Sequence, residues 1–258
     1  MEVLFQNKMK TPFKKEKNPL LSLHLNVYNE ENNLENVYKE CRNVLKKAKI
    51  SYEMIFVEGG SSDNSWKVLK KLAAKNKDCR VFKAGMEPGK KINAGMKVAK
   101  GKYFGYMCSD GQDDPGILPQ CIKLLEENKT DFVKGRRIDR EYWQRKFISR
   151  VYNKICRLLF GLNLKDINMH PKVFKRNLIK GINLISSGES VDLEIVLRAQ
   201  KKGYRMVEIP LRERNREGGK SSVNLSVALK MIRDMLSYKW GDKGKALRNS
   251  LHNQKKTI

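Results

Sequence analysis

Leu21, Leu23, Leu25 and Val27 alternate with other positions across Leu20–Val27, the period-2 pattern of a strand with one face in a core. Tyr52–Val57, Cys79–Ala84 and Tyr103–Cys108 are three further strand-like apolar runs. Between them lie three helix-like stretches: Leu34 to about Ala48, Ser65 to about Lys75, and Gly89 to Ala99. The order over the first 110 residues is β-α-β-α-β-α-β. That alternation predicts an α/β fold with a mostly parallel central sheet, right-handed crossovers and flanking helices. Open sheets of this kind bind ligands beyond the carboxyl ends of their strands. The loops after the first, second and fourth strands are polar, and they converge on that edge.

The second half continues with a helix over Pro115–Asn128, a strand over Asp131–Lys134 and a basic amphipathic helix over Tyr142–Phe160. The stripe of that helix (Trp143, Phe147, Val151, Ile155, Leu158, Leu159) suits core packing better than membrane contact. Ser222–Trp240 is a second amphipathic helix, with Val223, Leu225, Val227, Ile232, Met235 and Leu236 apolar. Lys239, Trp240, Lys243 and Lys245 follow, a combination that fits docking on an anionic membrane or packing on the main domain. The expected organisation is a leader at 1–18, a main domain at 19–222, an amphipathic C-terminal helix at 223–245 and a disordered tail at 246–258. Residues 1–6, M-E-V-L-F-Q, resemble a picornaviral 3C protease recognition site and are set aside as a tag remnant.

Composition narrows the partners. Of 258 residues, 54 are Lys or Arg and 28 are Asp or Glu, a formal charge of +26. Such a charge attracts phosphorylated substrates, anionic membranes or nucleic acid. No stacking aromatic array, zinc finger or recognition helix supports nucleic acid, which is therefore not an expected partner. The five cysteines (41, 79, 108, 121, 156) lack C-x-x-C spacing, so a reducing cytoplasmic setting is expected. No apolar run reaches ~18 residues, so no helix is expected to span a bilayer; peripheral association with the inner face of a membrane stays open.

The candidate chemistry centres on Tyr103–Pro115, Y-F-G-Y-M-C-S-D-G-Q-D-D-P. An apolar strand ends in acids, glycine and proline. Asp110 and Gln112 form a plausible corner for Mg²⁺ or Mn²⁺, both hard oxygen-seeking cations. Turn and capping chemistry explains the same residues equally well. Neither G-x-G-x-x-G nor G-x-x-x-x-G-K-[ST] occurs, which argues against dinucleotide and P-loop chemistry. His24, mid-strand, reads as structural.

Three motifs then occur in order. V-Y-N-E-E-N-N-L (27–34) resembles the opening P-x-Y-N-E-x-x-N-[IL] of family 2 glycosyltransferases, and V-E-G-G-S-S-D-N-S (57–65) resembles their V-D-D-G-S-x-D-G-T. Residues 90–110 resemble the helix and strand leading into that family's D-x-D. Within the family the chain is most similar to the dolichyl-phosphate mannose and glucose synthase branch, over roughly residues 19–222. G-R-R (135–137) resembles its G-x-R, and V-D-L-E-I (191–195) with G-Y-R-M-V-E-I-P (203–210) resembles F-D-x-E-L and G-Y-x-I-x-E-[IV]-P. Arg214 and Lys220 have the spacing of the family's phosphate-grasping pair.

The resemblance implies a GT-A fold and inverting transfer of a sugar from a nucleoside-diphosphate sugar, on GDP or UDP. The implied acceptor is a polyprenyl phosphate or a cell-surface, anionic glycan. It implies Asn26, Tyr28, Glu30, Val57, Glu58, Gly59, Cys108, Ser109, Asp110 and Arg137 on the donor, and a metal on Asp110 and Gln112. It implies Arg214 and Lys220 on the leaving diphosphate, and Asp192 as the base for a hydroxyl acceptor. A phosphate acceptor is already a nucleophile and needs no base. His170 lies in a segment (166–174) of the form that lines the acceptor side. Three departures stand out. Cys108 replaces the first Asp of D-x-D, Glu58-Gly59 replaces Asp-Asp, and Asn26 replaces the opening proline. Two alternatives therefore remain: a catalytically impaired sugar-nucleotide-binding relative, and a basic nucleic-acid-binding protein.

Overall fold

β1 (Leu21–Val27), β2 (Tyr52–Glu58), β3 (Cys79–Lys83) and β4 (Tyr103–Cys108) run parallel in the order β3-β2-β1-β4, as the β-α alternation predicts. The structure is a computed structural model that describes residues 18–138, 143–178, 180, 183–186, 188, 190–212, 214 and 225–255. Beyond β4 the sheet continues through β6 (Lys172–Lys175), β5 (Phe132–Arg137) and β7 (Met206–Leu211). β6 is antiparallel to both β4 and β5, and β7 is parallel to β5. Six strands thus point one way and β6 alone is reversed. That reversal brings the start of β6, Pro171 and Lys172, to the edge where the other strands end.

Helices cover both faces. α1 (Leu34–Lys47), α2 (Ser65–Lys75) and α4 (Leu118–Glu126) bury leucines, valines and cysteines against Leu21, Leu23, Leu25, Met54 and Phe56. On the opposite face, α3 (Pro88–Val98), α5 (Trp143–Phe160), α6 (Val191–Lys201) and α7 (Leu225–Trp240) pack on Ile55, Val57, Phe104 and Tyr106. The strands feed the two layers from alternate residues.

His24 points into the α3 layer. Its ring stacks on Phe104 at 5.9 Å, and its Nε2 lies 2.8 Å from Asn26 Oδ1. Burial pulls its pKa down to about 4. Gly95 of α3 packs directly on this ring: a Cβ there would sit 2.1 Å from Nδ1. Helix and strand can approach this closely only because residue 95 has no side chain.

The C-terminal region departs from expectation. α7 ends at Trp240, and α8 (Asp242–Lys255) occupies most of the segment expected to be disordered. The reason is packing: Leu247 is buried and Leu251 packs against the same core. The Arg198 guanidinium also donates to Ser250 Oγ at 3.0 Å. Two leucines four residues apart hold down an otherwise polar helix. Val223 lies outside the described residues. α5 and α7 both leave apolar residues in solvent: Phe147, Ile148, Val151 and Leu158 on one, Leu229, Ile232, Leu236 and Trp240 on the other. No helix among the described residues is long and apolar enough to cross a membrane.

Candidate active site

The loops after β1 and β2 are stapled together side chain to backbone. Asn29 N donates to Ser61 Oγ and Ser62 N to Asn29 Oδ1; Glu31 N donates to Asp63 Oδ2 and Asn64 N to Glu31 Oε2. Asn29 and Gly60 take positive φ, 54° and 82°, which Asn and Gly tolerate best. Much of the N-E-E and S-S-D-N-S chemistry is spent on this staple. Glu30 lies within it, its backbone N–H on Ser65 Oγ and its carboxylate taking 2.7 Å from Asn33 Nδ2. Glu58 is buried and accepts from the Ser61 N–H. Val57 is a fully buried core residue. Tyr28 is partly exposed, with the Lys91 ammonium 5.7 Å from its ring centre.

Gly59 has a specific reason to be glycine. A Cβ there would meet Lys91 Cδ at 3.0 Å and Nζ at 3.1 Å. Buried Lys91 therefore fills the space that a side chain at 59 would take. Lys91 lies in the 90–110 run, but the resemblance gave it no role.

At the end of β4, Ser109 Oγ donates to Asn26 O at 2.7 Å, and Asn26 spends its side chain on His24. Both residues hold β4 to β1. The chain then turns through Gly111 (φ 78°), and Gln112 N donates to Asp110 Oδ1. The Gln112 amide nitrogen donates to Arg214 O at 3.3 Å while Arg214 N donates to Gln112 O at 3.2 Å. The amide oxygen is the remaining end of Gln112, so a carboxylate and an amide oxygen sit on one turn. That donor set fits a hard divalent cation.

Asp192, at the start of α6, is held by three side chains. Lys172 Nζ lies 2.5 Å from Asp192 Oδ1, His170 Nε2 lies 3.3 Å from it, and the Tyr106 hydroxyl donates to it. Burial alone would raise its pKa, but Lys172 and then His170 overcome this and hold it well below the usual carboxylate range. A carboxylate so committed is a weak proton acceptor, which speaks against Asp192 as a general base. Glu194 faces the other way and braces the fold. It accepts from the Ile185 and Ser186 N–H groups and the Tyr238 hydroxyl, and it pairs with Arg198 at 2.7 Å.

The arginines are also engaged. Arg137 forks onto Asp166, Nε to Oδ2 at 2.7 Å and Nη2 to Oδ1 at 2.9 Å. The Asp166 pKa is held far below normal: burial opposes this, and Arg137 wins. Arg214 bridges Glu40 and Asp114 at 2.8 Å each, so its guanidinium turns outward although its backbone lies against the Gln112 turn. Lys220 lies outside the described residues. The spacing of residues along the chain could not reveal these pairings, because the acids are 29, 174 and 100 residues distant. Sequence reasoning also missed Lys134 and Lys172, two fully buried lysines paired across β5 and β6. Burial, then repulsion from Lys172, pulls the Lys134 pKa down to about 7.

A family model described as "Glycosyl transferase family 2" matches residues 22–182. The chain belongs to glycosyl transferase family 2. The chain is 25% identical over 223 residues to dolichol-phosphate mannosyltransferase of Pyrococcus furiosus, covering 83% of this chain and 62% of that protein. It is 27% identical over 221 residues to undecaprenyl-phosphate 4-deoxy-4-formamido-L-arabinose transferase of Proteus mirabilis, covering 84% and 67%. The chain thus spans about two thirds of the length of these relatives. Glucosyl-3-phosphoglycerate synthase of Mycobacterium tuberculosis has the same fold (TM-score 0.70, 15% identity, 86% of this chain and 80% of that one). That enzyme has also been solved with Mn²⁺, UDP and phosphoglyceric acid (TM-score 0.69, 16% identity, 86% and 78% covered).

Proposed function

We propose that this glycosyltransferase moves a sugar from a nucleoside-diphosphate sugar onto a polyprenyl phosphate, by inverting single displacement at the face of an anionic membrane. The observation that carries the acceptor class is Asp192. The residue chosen as base is neutralised by Lys172 at 2.5 Å and held ionised, so it suits an acceptor that arrives already ionised. A phosphate is such an acceptor and a neutral hydroxyl is not. The relatives named for dolichol phosphate and undecaprenyl phosphate support the same reading.

The donor lies over the carboxyl ends of β1, β2 and β4. Tyr28 and Lys91 border the nucleoside, and Gly59 leaves room for Lys91 to lie there. Asp110 and Gln112 hold Mg²⁺ or Mn²⁺ when it is bound, and the ion supplies charge to offset the leaving diphosphate. Arg137 adds positive charge on the same side, and the Arg214 backbone is tied to the Gln112 turn. Exposed Phe147, Leu158, Ile232, Leu236 and Trp240, on a chain of net charge +26, provide apolar and cationic contact with a lipid surface.

A thermal-shift panel of UDP, GDP, CDP, dTDP and UMP, each with and without Mn²⁺, tests the donor half. The expected result is a metal-dependent rise with one diphosphate, which names the nucleoside. No rise with any of them would turn the assignment toward an impaired relative in which Cys108 and Gly59 have cost the site its donor.

A further inference from the structure

We propose that Cys108, Asp113 and His170 form a second metal site, distinct from Asp110 and Gln112, that takes a borderline transition ion of the Zn²⁺ class. The three side chains come from the end of β4, the loop after it and the segment entering β6. Their ligand atoms all lie within 4.8 Å of one another. Cys108 Sγ is 3.7 Å from His170 Nδ1, and His170 Nδ1 is 3.5 Å from Asp113 Oδ2.

Those separations match a coordination sphere. Tetrahedral Zn²⁺, with Zn–S about 2.3 Å and Zn–N or Zn–O about 2.0–2.1 Å, places sulfur and nitrogen about 3.6 Å apart and nitrogen and oxygen about 3.3 Å apart. Two edges of the triangle are therefore already near bonding length. The other face of the imidazole is also arranged for a ligand. His170 Nε2 lies 3.3 Å from Asp192 Oδ1, and Asp192 is itself fixed by Lys172 and Tyr106. A carboxylate on the distal nitrogen orients a metal-bound histidine and raises its basicity. Asp113 is also fixed, since the Cys108 N–H donates to its Oδ2 at 2.6 Å.

Donor chemistry decides the metal class. Mg²⁺ and Mn²⁺ favour oxygen and water, whereas a thiolate with an imidazole and a carboxylate selects Zn²⁺, and Co²⁺ as its spectroscopic stand-in. Cys108 is partly exposed, so a fourth position faces the same edge as the Asp110 turn. Bound there, the ion ties the β4 loop to the entry of β6. This inference does not depend on the donor or acceptor proposed above.

The test is Co²⁺ titration of chelator-treated protein, followed by displacement with Zn²⁺. The expected result is one Co²⁺ per chain with a thiolate-to-cobalt charge-transfer absorption that Zn²⁺ removes. C108S and H170A abolish that absorption, and D192N weakens Co²⁺ binding by about 10- to 100-fold. D110N leaves the absorption intact while losing the Mn²⁺-dependent diphosphate shift, so the two sites fail separately. If a variant does not fold, X-ray absorption on the Zn²⁺-loaded wild type is decisive: one sulfur in the first shell supports the site. An all-oxygen and nitrogen shell, no charge-transfer band, or an undiminished band in folded C108S overturns it.

Discussion

Removing Lys172 tests what Asp192 is for. The two charges lie 2.5 Å apart and both are buried, Lys172 completely. At that distance and an effective dielectric of about 20 the Coulomb attraction is roughly 7 kcal/mol. Desolvation of two ions offsets most of it, so the pair adds little net stability. Removing one partner is different, because it strands the other charge in the core at a cost of about 3–5 kcal/mol. K172M and D192N should therefore each lower unfolding free energy by roughly that amount, and K172M with D192N together should cost about 2–3 kcal/mol less than the sum of the single losses. Urea unfolding at neutral pH measures all four corners of the cycle. Turnover supplies the second readout. Folded D192N should keep transfer to a phosphate acceptor within about tenfold, whereas loss of a general base costs ~10²–10⁴. A D192N protein as stable as wild type but slowed a hundredfold or more would refute the ion-pair reading and restore Asp192 as a base.

Three further outcomes follow from the same structure. G95A should lose roughly 1–2 kcal/mol, because overpacking against His24 at 2.1 Å outweighs the ~1 kcal/mol of helix propensity gained; net stabilisation would contradict the close packing. His24 has a pKa near 4 in the fold against 6.5 normally, so above pH 6.5 it is neutral in both states and contributes nothing to pH dependence. As pH falls from 6.5 to 4 the unfolded chain takes the proton first, and about 3 kcal/mol is lost. The depressed carboxylates Asp192 and Asp166 lose their share only below their ordinary pKa of 3.8. The difference between wild type and H24Q isolates the histidine, and an unchanged slope in H24Q would count against it. Deleting residues 242–258 should cost about 3 kcal/mol, since Leu247 and Leu251 lose their packing; an unchanged midpoint would mean that α8 does not hold the core.

Strand and helix order up to β4 was legible because apolar positions alone specify it. The turn after β4 was legible because glycine, acids and proline break off a buried apolar strand. β6 was not legible, since K-V-F-K opens on a fully buried lysine, Lys172, whose counter-charge Asp192 lies 20 residues further along the chain. Nor could spacing show that Glu30, Glu58 and Asn29 serve a loop staple, or that Arg137 and Arg214 already hold acids. α8 looked disordered because its charge hid two leucines on one face. Cys108 read as a loss when compared with an aspartate. Its meaning changes once His170 and Asp113, distant or unremarked in sequence, stand beside it.

The most direct test of the account is transfer from the sugar nucleotide that the panel identifies, measured in anionic vesicles against a matched pair of acceptors. One acceptor is a polyprenyl phosphate and the other is the same polyprenol with a free hydroxyl. Product is expected on the phosphate and essentially none on the alcohol, because Asp192, the candidate base, is committed to Lys172 and His170. Equal or faster transfer to the alcohol would contradict it.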